Sequence, residues 1–176
     1  MKKILIIVSC SIIIAALVLY FTFTNLSKDS VTKKESASIN VEKQEKGQII
    51  EIEEADAKPV AEEFPLEMSE EKIRDAIHGM SHQKVKADKK WGFIPLTSER
   101  VNRLIEVVKA NQSTYKNSTT YLEILERWAK NDFSQVDKDH NTIWELQNGN
   151  VGRATGILSH EEEMEFIQEY YDVEGT

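Results

Sequence analysis

The chain has 176 residues, and its 30 Asp and Glu outnumber its 22 Lys and Arg, giving a net charge of −8 with histidine neutral. An acidic chain lacks the basic footprint of a general nucleic-acid binder, so we expect no nucleic-acid partner. The single cysteine, Cys10, excludes an intramolecular disulfide as the source of stability.

The N-terminus carries an apolar run over residues 4–24, preceded by Lys2 and Lys3. As a helix it would cross roughly 30 Å of hydrocarbon. Three interpretations compete: an uncleaved signal anchor, a cleaved signal peptide ending near Thr24, and a lipoprotein signal at Cys10. The length of the run favours the anchor, with the C-terminus outside. We therefore expect a single-pass protein of the cell membrane with residues 1–26 as its anchor, or a secreted protein if this segment is cleaved.

Residues 27–68 are acidic, and their apolar residues are mostly scattered. Such a segment buries too little apolar surface to offset its ordering entropy, so it is predicted to be a largely disordered stalk. The stretch from Gln48 to Ile52 is an exception, because its β-branched residues could add an edge strand to a sheet. The alternative is a slightly apolar piece of linker.

Residues 69–176 are predicted to form a mainly α-helical extracytoplasmic domain of about five helices. The predicted helix starts are an N-cap at Ser69, an N-cap at Thr97 or Ser98, a capping box over residues 120–123, the apolar face that begins at Phe133, and a capping box over residues 159–162. The first helix should extend to about Lys84 and bury Ile73, Ile77 and Met80. Residues 133–147 could instead form a hairpin turning at Asn148 and Gly149, but their 3.6-residue period favours a helix that ends at Gly149.

Two histidines, His78 and His82, are four residues apart and therefore project from one helix face. This spacing suits two imidazole ligands of a divalent metal, although Gly79 replaces the glutamate of the zinc-protease motif. His140, with a carboxylate such as Asp137 or Asp139, could complete the site. The alternative is a pair of partly exposed histidines with a purely structural role.

A second candidate site is the basic stretch formed by Lys84, Lys86, Lys89, Lys90 and Trp91. It could bind anionic lipid headgroups or wall polymers beside the membrane. The alternative is a solvated run of charges. The glycine-rich loop over residues 149–156 could likewise bind an anion through backbone N–H groups, or could serve only turn geometry.

Four stretches carry a resemblance to a known family: residues 77–85, 90–92, 140–144 and 152–156. There the chain resembles a family of small uncharacterised proteins of bacilli, which have an N-terminal membrane segment and one domain of unknown function. The resemblance covers roughly residues 69–171. It implies the localisation and the domain limits, and it implies no activity.

The sequence contains no recognisable catalytic constellation or cofactor motif, so we expect no catalytic residues and no cofactor. The favoured hypothesis is a non-enzymatic, membrane-tethered module of the bacterial cell envelope that binds an envelope protein or peptide. The alternative is a metal-binding protein or metal-dependent hydrolase that uses His78, His82 and His140.

Overall fold

The structure is a computed structural model, and it describes residues 35–39 and 47–173. Among these residues, no helix is long and apolar enough to cross a membrane. The predicted anchor, residues 4–24, lies outside the described residues, as do residues 27–34 and 40–46 of the predicted stalk.

The described residues are mainly helical, with six helices and five short strands, as expected for the fold class. In chain order the elements are β1 (Glu35–Ile39), β2 (Ile52–Glu54), α1 (Val60–Glu63), α2 (Glu70–Ser81), β3 (Val85–Lys86), α3 (Ser98–Ala110), α4 (Ser118–Trp128), α5 (Val136–Leu146), β4 (Gly156–Ile157), α6 (His160–Tyr170) and β5 (Tyr171–Val173). The helix beyond the predicted five is the short α1.

Three of the predicted helix starts are confirmed by their caps. The Ser69 hydroxyl accepts from the Lys72 N–H at 3.4 Å, and the Thr97 hydroxyl accepts from the Arg100 N–H at 3.2 Å. Helix α6 begins with the predicted capping box, in which Ser159 and Glu162 exchange hydrogen bonds. These starts were predictable because each cap lies within three residues of its partner.

Helix α4 starts differently from the prediction, at Ser118 and not at the capping box over residues 120–123. Its first turn is capped by Glu70 of α2. One carboxylate oxygen accepts from the Asn117 N–H at 3.0 Å and from the Tyr121 hydroxyl at 2.9 Å, and the other accepts from the Lys116 N–H at 3.1 Å. A carboxylate at a helix N-terminus satisfies free N–H groups and interacts well with the helix dipole.

The core lies between two packed helix pairs, α3 with α4 and α2 with α5. Ile73, Ile77 and Met80 of α2 are fully buried, as their spacing predicted. Helix α2 ends at Ser81, three residues before the expected Lys84. The partners of these residues on the other helices are also fully buried and include Leu104, Leu125, Trp128 and Ile143.

Residues 47–68 form an ordered part of the domain, so the prediction of a disordered stalk does not hold for them. Ile49, Ile50 and Ile52 are buried, as are Phe64 and Met68. Strand β2, which Ile52 opens, pairs antiparallel with β1, and β1 pairs in parallel with β5. The helical domain supplies an apolar surface for these residues, and this burial offsets the ordering entropy that the segment alone could not.

The segment around α5 is helical, as its period predicted, and the hairpin alternative is wrong. Asn148, with φ of 56°, takes the left-handed position after the helix end instead of Gly149. The loop that follows leads into β4, which pairs antiparallel with β3. This pairing brings the loop over residues 149–156 beside the end of α2.

Candidate metal centre

The structure brings His78, His82 and His140 together into one group, here called the histidine cluster. His78 lies on α2, His82 is the residue that caps its C-terminal end, and His140 lies on the adjacent helix α5. One ring nitrogen from each lies within 4.8 Å of those of the other two. The ring centroids are 4.5–5.4 Å apart. The i, i+4 spacing supplies two of the rings, and helix packing supplies the third.

Burial keeps the histidine cluster neutral. His140 is 0% exposed and His82 is 2% exposed, while His78 is half-buried. Burial, as the main cause, together with the neighbouring histidines lowers the pKa of His140 to about 3 and that of His82 to about 4. Burial also lowers the pKa of His78, against hydrogen bonding to Gln147 and the charge of Asp75. Neutral imidazole is the form that binds metal ions.

Two of the three rings are oriented by carbonyl oxygens. His78 Nδ1 lies 2.5 Å from Gln147 Oε1, and His82 Nδ1 lies 2.6 Å from the Gly92 carbonyl oxygen. A carbonyl oxygen only accepts, so Nδ1 must carry the proton in both rings. The lone pair of each neutral ring is therefore on Nε2. Metal-binding histidines in proteins are held in this way by a hydrogen bond from their second nitrogen.

The hydrogen bond to His78 extends to a carboxylate. Gln147 Nε2 donates to Asp75 Oδ1 at 2.8 Å, so the Gln147 amide links Asp75 to the His78 ring. This chain of bonds polarises the His78 ring and makes its Nε2 a better electron donor.

His140 has two hydrogen-bonding arrangements. Its Nδ1 lies 2.8 Å from Ser81 Oγ, and its Nε2 lies 3.1 Å from the Gly152 carbonyl oxygen. In one arrangement Nε2–H donates to Gly152. In the other, Nδ1–H donates to Ser81, whose hydroxyl donates to the His78 carbonyl oxygen at 2.6 Å, and Nε2 is left with its lone pair. The second arrangement puts two acceptor atoms side by side, a contact that a bound cation would stabilise.

Zinc would draw the three rings closer together. Zn–N bonds of about 2.0–2.1 Å in a tetrahedral site place the ligand nitrogens about 3.3 Å apart. The largest separation in the histidine cluster is therefore about 1.5 Å too long. The ammonium of Lys90 donates to the His82 carbonyl oxygen at 2.8 Å, and its positive charge opposes a bound cation. Burial lowers the pKa of Lys90 to about 8, against the charges of Glu169 and Glu162.

The basic stretch predicted as a second site does not form a single surface. Lys84 is buried, and its ammonium lies 2.8 Å from the Glu163 carboxylate. Lys86 pairs with Glu162 at 2.6 Å, and the ammonium of Lys90 lies 4.0 Å from the centroid of the Phe166 ring. Lys89 and Trp91 are exposed. Three of the four lysines therefore point at acceptors or rings of the domain itself.

Four residues that support the histidine cluster were not predicted as site residues: Ser81, Gly92, Gln147 and Gly152. Gln147 was the last residue of the helix predicted over residues 133–147, and Gly152 was in the predicted loop. Gly152 has φ of 84°, and a Cβ there would lie 2.5 Å from the Lys89 carbonyl oxygen. Only glycine allows this close approach, which places the Gly152 carbonyl oxygen beside His140.

The fold and the histidine cluster together define a small, mainly α-helical domain with three converging histidines between two helices. The chain belongs to a family of unknown function, DUF6241, whose sequence pattern matches residues 77–168. The matched region includes the whole histidine cluster. No curated protein and no solved structure matches the chain. Membership of this family agrees with the uncharacterised domain that the resemblance implied.

Proposed function

We propose that this domain binds a transition-metal ion of the zinc class through His78, His82 and His140. The observation that carries the proposal is the convergence of three neutral rings, with the Nδ1 of His78 and His82 each donating to a carbonyl oxygen. The hydrogen bonds from Nδ1 leave a lone pair on Nε2 of His78 and of His82, and a metal ion that binds both of these atoms and His140 would use those lone pairs.

The donor set indicates which metals fit. Imidazole nitrogens suit zinc, copper, nickel and iron, whereas calcium and magnesium require oxygen ligands. Three protein ligands leave one tetrahedral position for water, as in catalytic zinc sites and unlike closed structural ones. The metal-dependent hydrolase considered from the sequence would use the same residues, with the metal supplying an activated water.

We also propose, from the sequence alone, that the domain is held outside the cell membrane by residues 4–24. The apolar run and the preceding Lys2 and Lys3 support this placement. We likewise propose, from the sequence alone, that the domain binds an envelope protein or peptide. Protease added to intact cells should digest the domain if it is outside, and protection until the cells are lysed would reverse the assigned orientation.

Metal binding can be tested on the purified full-length chain in mild detergent. After treatment with a chelator, zinc is added and its affinity is measured by competition with a chromophoric chelator. We expect one zinc per chain. His82→Gln and His140→Gln should weaken zinc binding by more than about 10–100-fold, which is the loss typical of substitutions in residues that only hydrogen-bond to a metal ligand.

The chain offers a matched control in its fourth histidine. His160 lies at the start of α6 and outside the histidine cluster, so His160→Gln should bind zinc as the unaltered chain does. Circular dichroism of each variant shows that the fold is kept. Wild-type affinity in both cluster variants, or an unaltered chain that takes up no zinc, would refute the proposal.

A further inference from the structure

A cleft with a volume of about 530 Å³ opens beside the histidine cluster. Its walls come from α2, from residues 91–94 and from the end of α5 with the loop after it. We call it the tryptophan cleft, because Trp91 and Trp144 both line it. His78 also lines it and is the residue that it shares with the metal centre.

Trp91 is presented to solvent by a constrained turn. Its side chain is 71% exposed, which is unusual for the largest apolar side chain. The next residue, Gly92, has φ of 80°, and its carbonyl oxygen accepts from His82. The turn is therefore fixed to the domain, while the indole ring that it carries is left uncovered. An indole held in this way is available to stack on a ligand.

Trp144 forms a fixed part of the wall of the tryptophan cleft. Its Nε1 donates to the Val151 carbonyl oxygen at 2.7 Å. Gly149 lies against the indole, and a Cβ at this position would overlap the ring. Because the ring is held by both contacts, the ligand surface on this side is formed before any ligand binds.

The polar groups of the tryptophan cleft suit hydroxyl groups better than they suit an anion. Among the described residues that line it, Asp75 is the one with a full charge, and Gln147, Asn148 and Asn150 contribute amides. A phosphate or carboxylate would find no cationic partner among these lining residues. A fatty chain would cover the side-chain amides of Asn148 and Asn150 without offering them a hydrogen bond. A neutral ligand with many hydroxyls can satisfy both the carboxylate and the amides.

We propose that the tryptophan cleft binds a neutral saccharide. A sugar ring has an apolar C–H face, which can stack on Trp91, and a rim of hydroxyls, which can bond Asp75, Asn148 and Asn150. The volume lies within the range of about 300–1,000 Å³ that is typical of small-ligand sites. The inference goes beyond metal binding and does not depend on it, because the stacking and hydroxyl contacts come from residues outside the histidine cluster.

The test is calorimetric titration of the full-length chain with N,N′-diacetylchitobiose and with cellobiose, once with added zinc and once with EDTA. We expect saturable binding of at least one disaccharide in both conditions. Trp91→Ala should weaken it about tenfold or more, because it removes the ring on which the apolar face of the sugar stacks. Leu66→Ala, an exposed apolar residue outside the cleft, should leave the affinity unchanged.

Two results would overturn the inference: no saturation by either disaccharide up to about 10 mM, or an unchanged affinity in Trp91→Ala. The EDTA arm separates the two proposals. Saccharide binding by a chain that takes up no zinc would refute the metal site alone, and zinc uptake without saccharide binding would refute the cleft alone.

Discussion

His78 and His82 of the histidine cluster are close in sequence to the basic stretch over residues 84–91. The fold brings the histidines together, whereas it separates the lysines. His78 and His82 keep the common face that their spacing fixes, and α5 adds His140 to it. The lysines follow the end of α2 at Ser81. Beyond that point the chain enters a strand and a turn, where successive side chains point in different directions. A site is therefore more predictable when its residues share one regular element.

Charge reinforces this difference. Neutral imidazoles can have ring nitrogens within 4.8 Å of one another without Coulomb repulsion, whereas ammonium groups cannot. Each of Lys84 and Lys86 instead has a carboxylate of α6 as its partner. The basic stretch thus contributes ion pairs that join α6 to the rest of the domain, and much of its charge is already neutralised.

The largest effect that we predict is on the lysine side of this comparison. Lys84→Ala should lower the free energy of unfolding by about 3–5 kcal/mol, because it leaves the buried Glu163 carboxylate without its cation. Lys86→Ala removes the exposed pair with Glu162 and should cost about 1 kcal/mol or less. Urea unfolding followed by tryptophan fluorescence measures both, since all three tryptophans lie within residues 91–144.

A further variant sharpens this result. Lys84→Met combined with Glu163→Leu replaces the pair by apolar side chains and should recover most of the stability, as buried ion pairs often do. If Lys84→Ala and Lys86→Ala lower the free energy of unfolding equally, Lys84 is solvated in solution. The basic stretch would then again be a candidate binding surface.

The next effect concerns the histidine side. Gln147→Ala removes the acceptor that orients His78 and should weaken zinc binding about 10–100-fold. The number of zinc ions bound at saturation should not change, because Gln147 acts through His78. Gln112→Ala, an exposed position at the end of α3, serves as the control in the same chelator competition. Unchanged zinc affinity in Gln147→Ala would show that the Gln147 hydrogen bond does not prepare His78 for binding zinc.

Much of the fold could be predicted from the sequence because its determinants are local. The caps at Ser69, Thr97 and Ser159 and the buried face of α2 depend on residues within one or two turns. The burial of Ile50 could not be predicted in the same way. It depends on contacts with α6 and β5, which are distant in the sequence.

The candidate site was predictable to a similar extent. The pairing of His78 with His82 could be predicted from helix geometry, but the position of His140 beside them depends on how α2 packs against α5. The supporting carbonyl oxygens of Gly92 and Gly152 carry no residue-specific signal, since every residue has a backbone carbonyl group. Their role emerges only from the loop conformations that the two glycines permit.

The smallest predicted effect concerns two helix caps. Thr97 caps α3 from the adjacent residue, whereas Glu70 caps α4 from a position distant in the sequence. Burial raises the pKa of Glu70, but hydrogen bonds from the N–H groups of Lys116 and Asn117 and from the Tyr121 hydroxyl lower it by a larger amount. The net pKa of Glu70 is therefore below 4.5. A lowered pKa in the folded state stabilises the fold above pH 4.5, and this contribution is lost as the pH falls through the folded value. Glu70→Gln should therefore cost about 1 kcal/mol at pH 7.

The local cap at Thr97 is the matched comparison for this prediction. Thr97→Ala removes a neutral acceptor and should cost about 1 kcal/mol at every pH. The difference between Glu70→Gln and the unaltered chain should instead shrink as the pH falls from 4.5 through the folded pKa of Glu70, below which Glu70 is protonated in both the folded and the unfolded chain. A Glu70→Gln penalty that persists unchanged to pH 3 would show that the amide fails for reasons of shape, and that the negative charge contributes little to the start of α4.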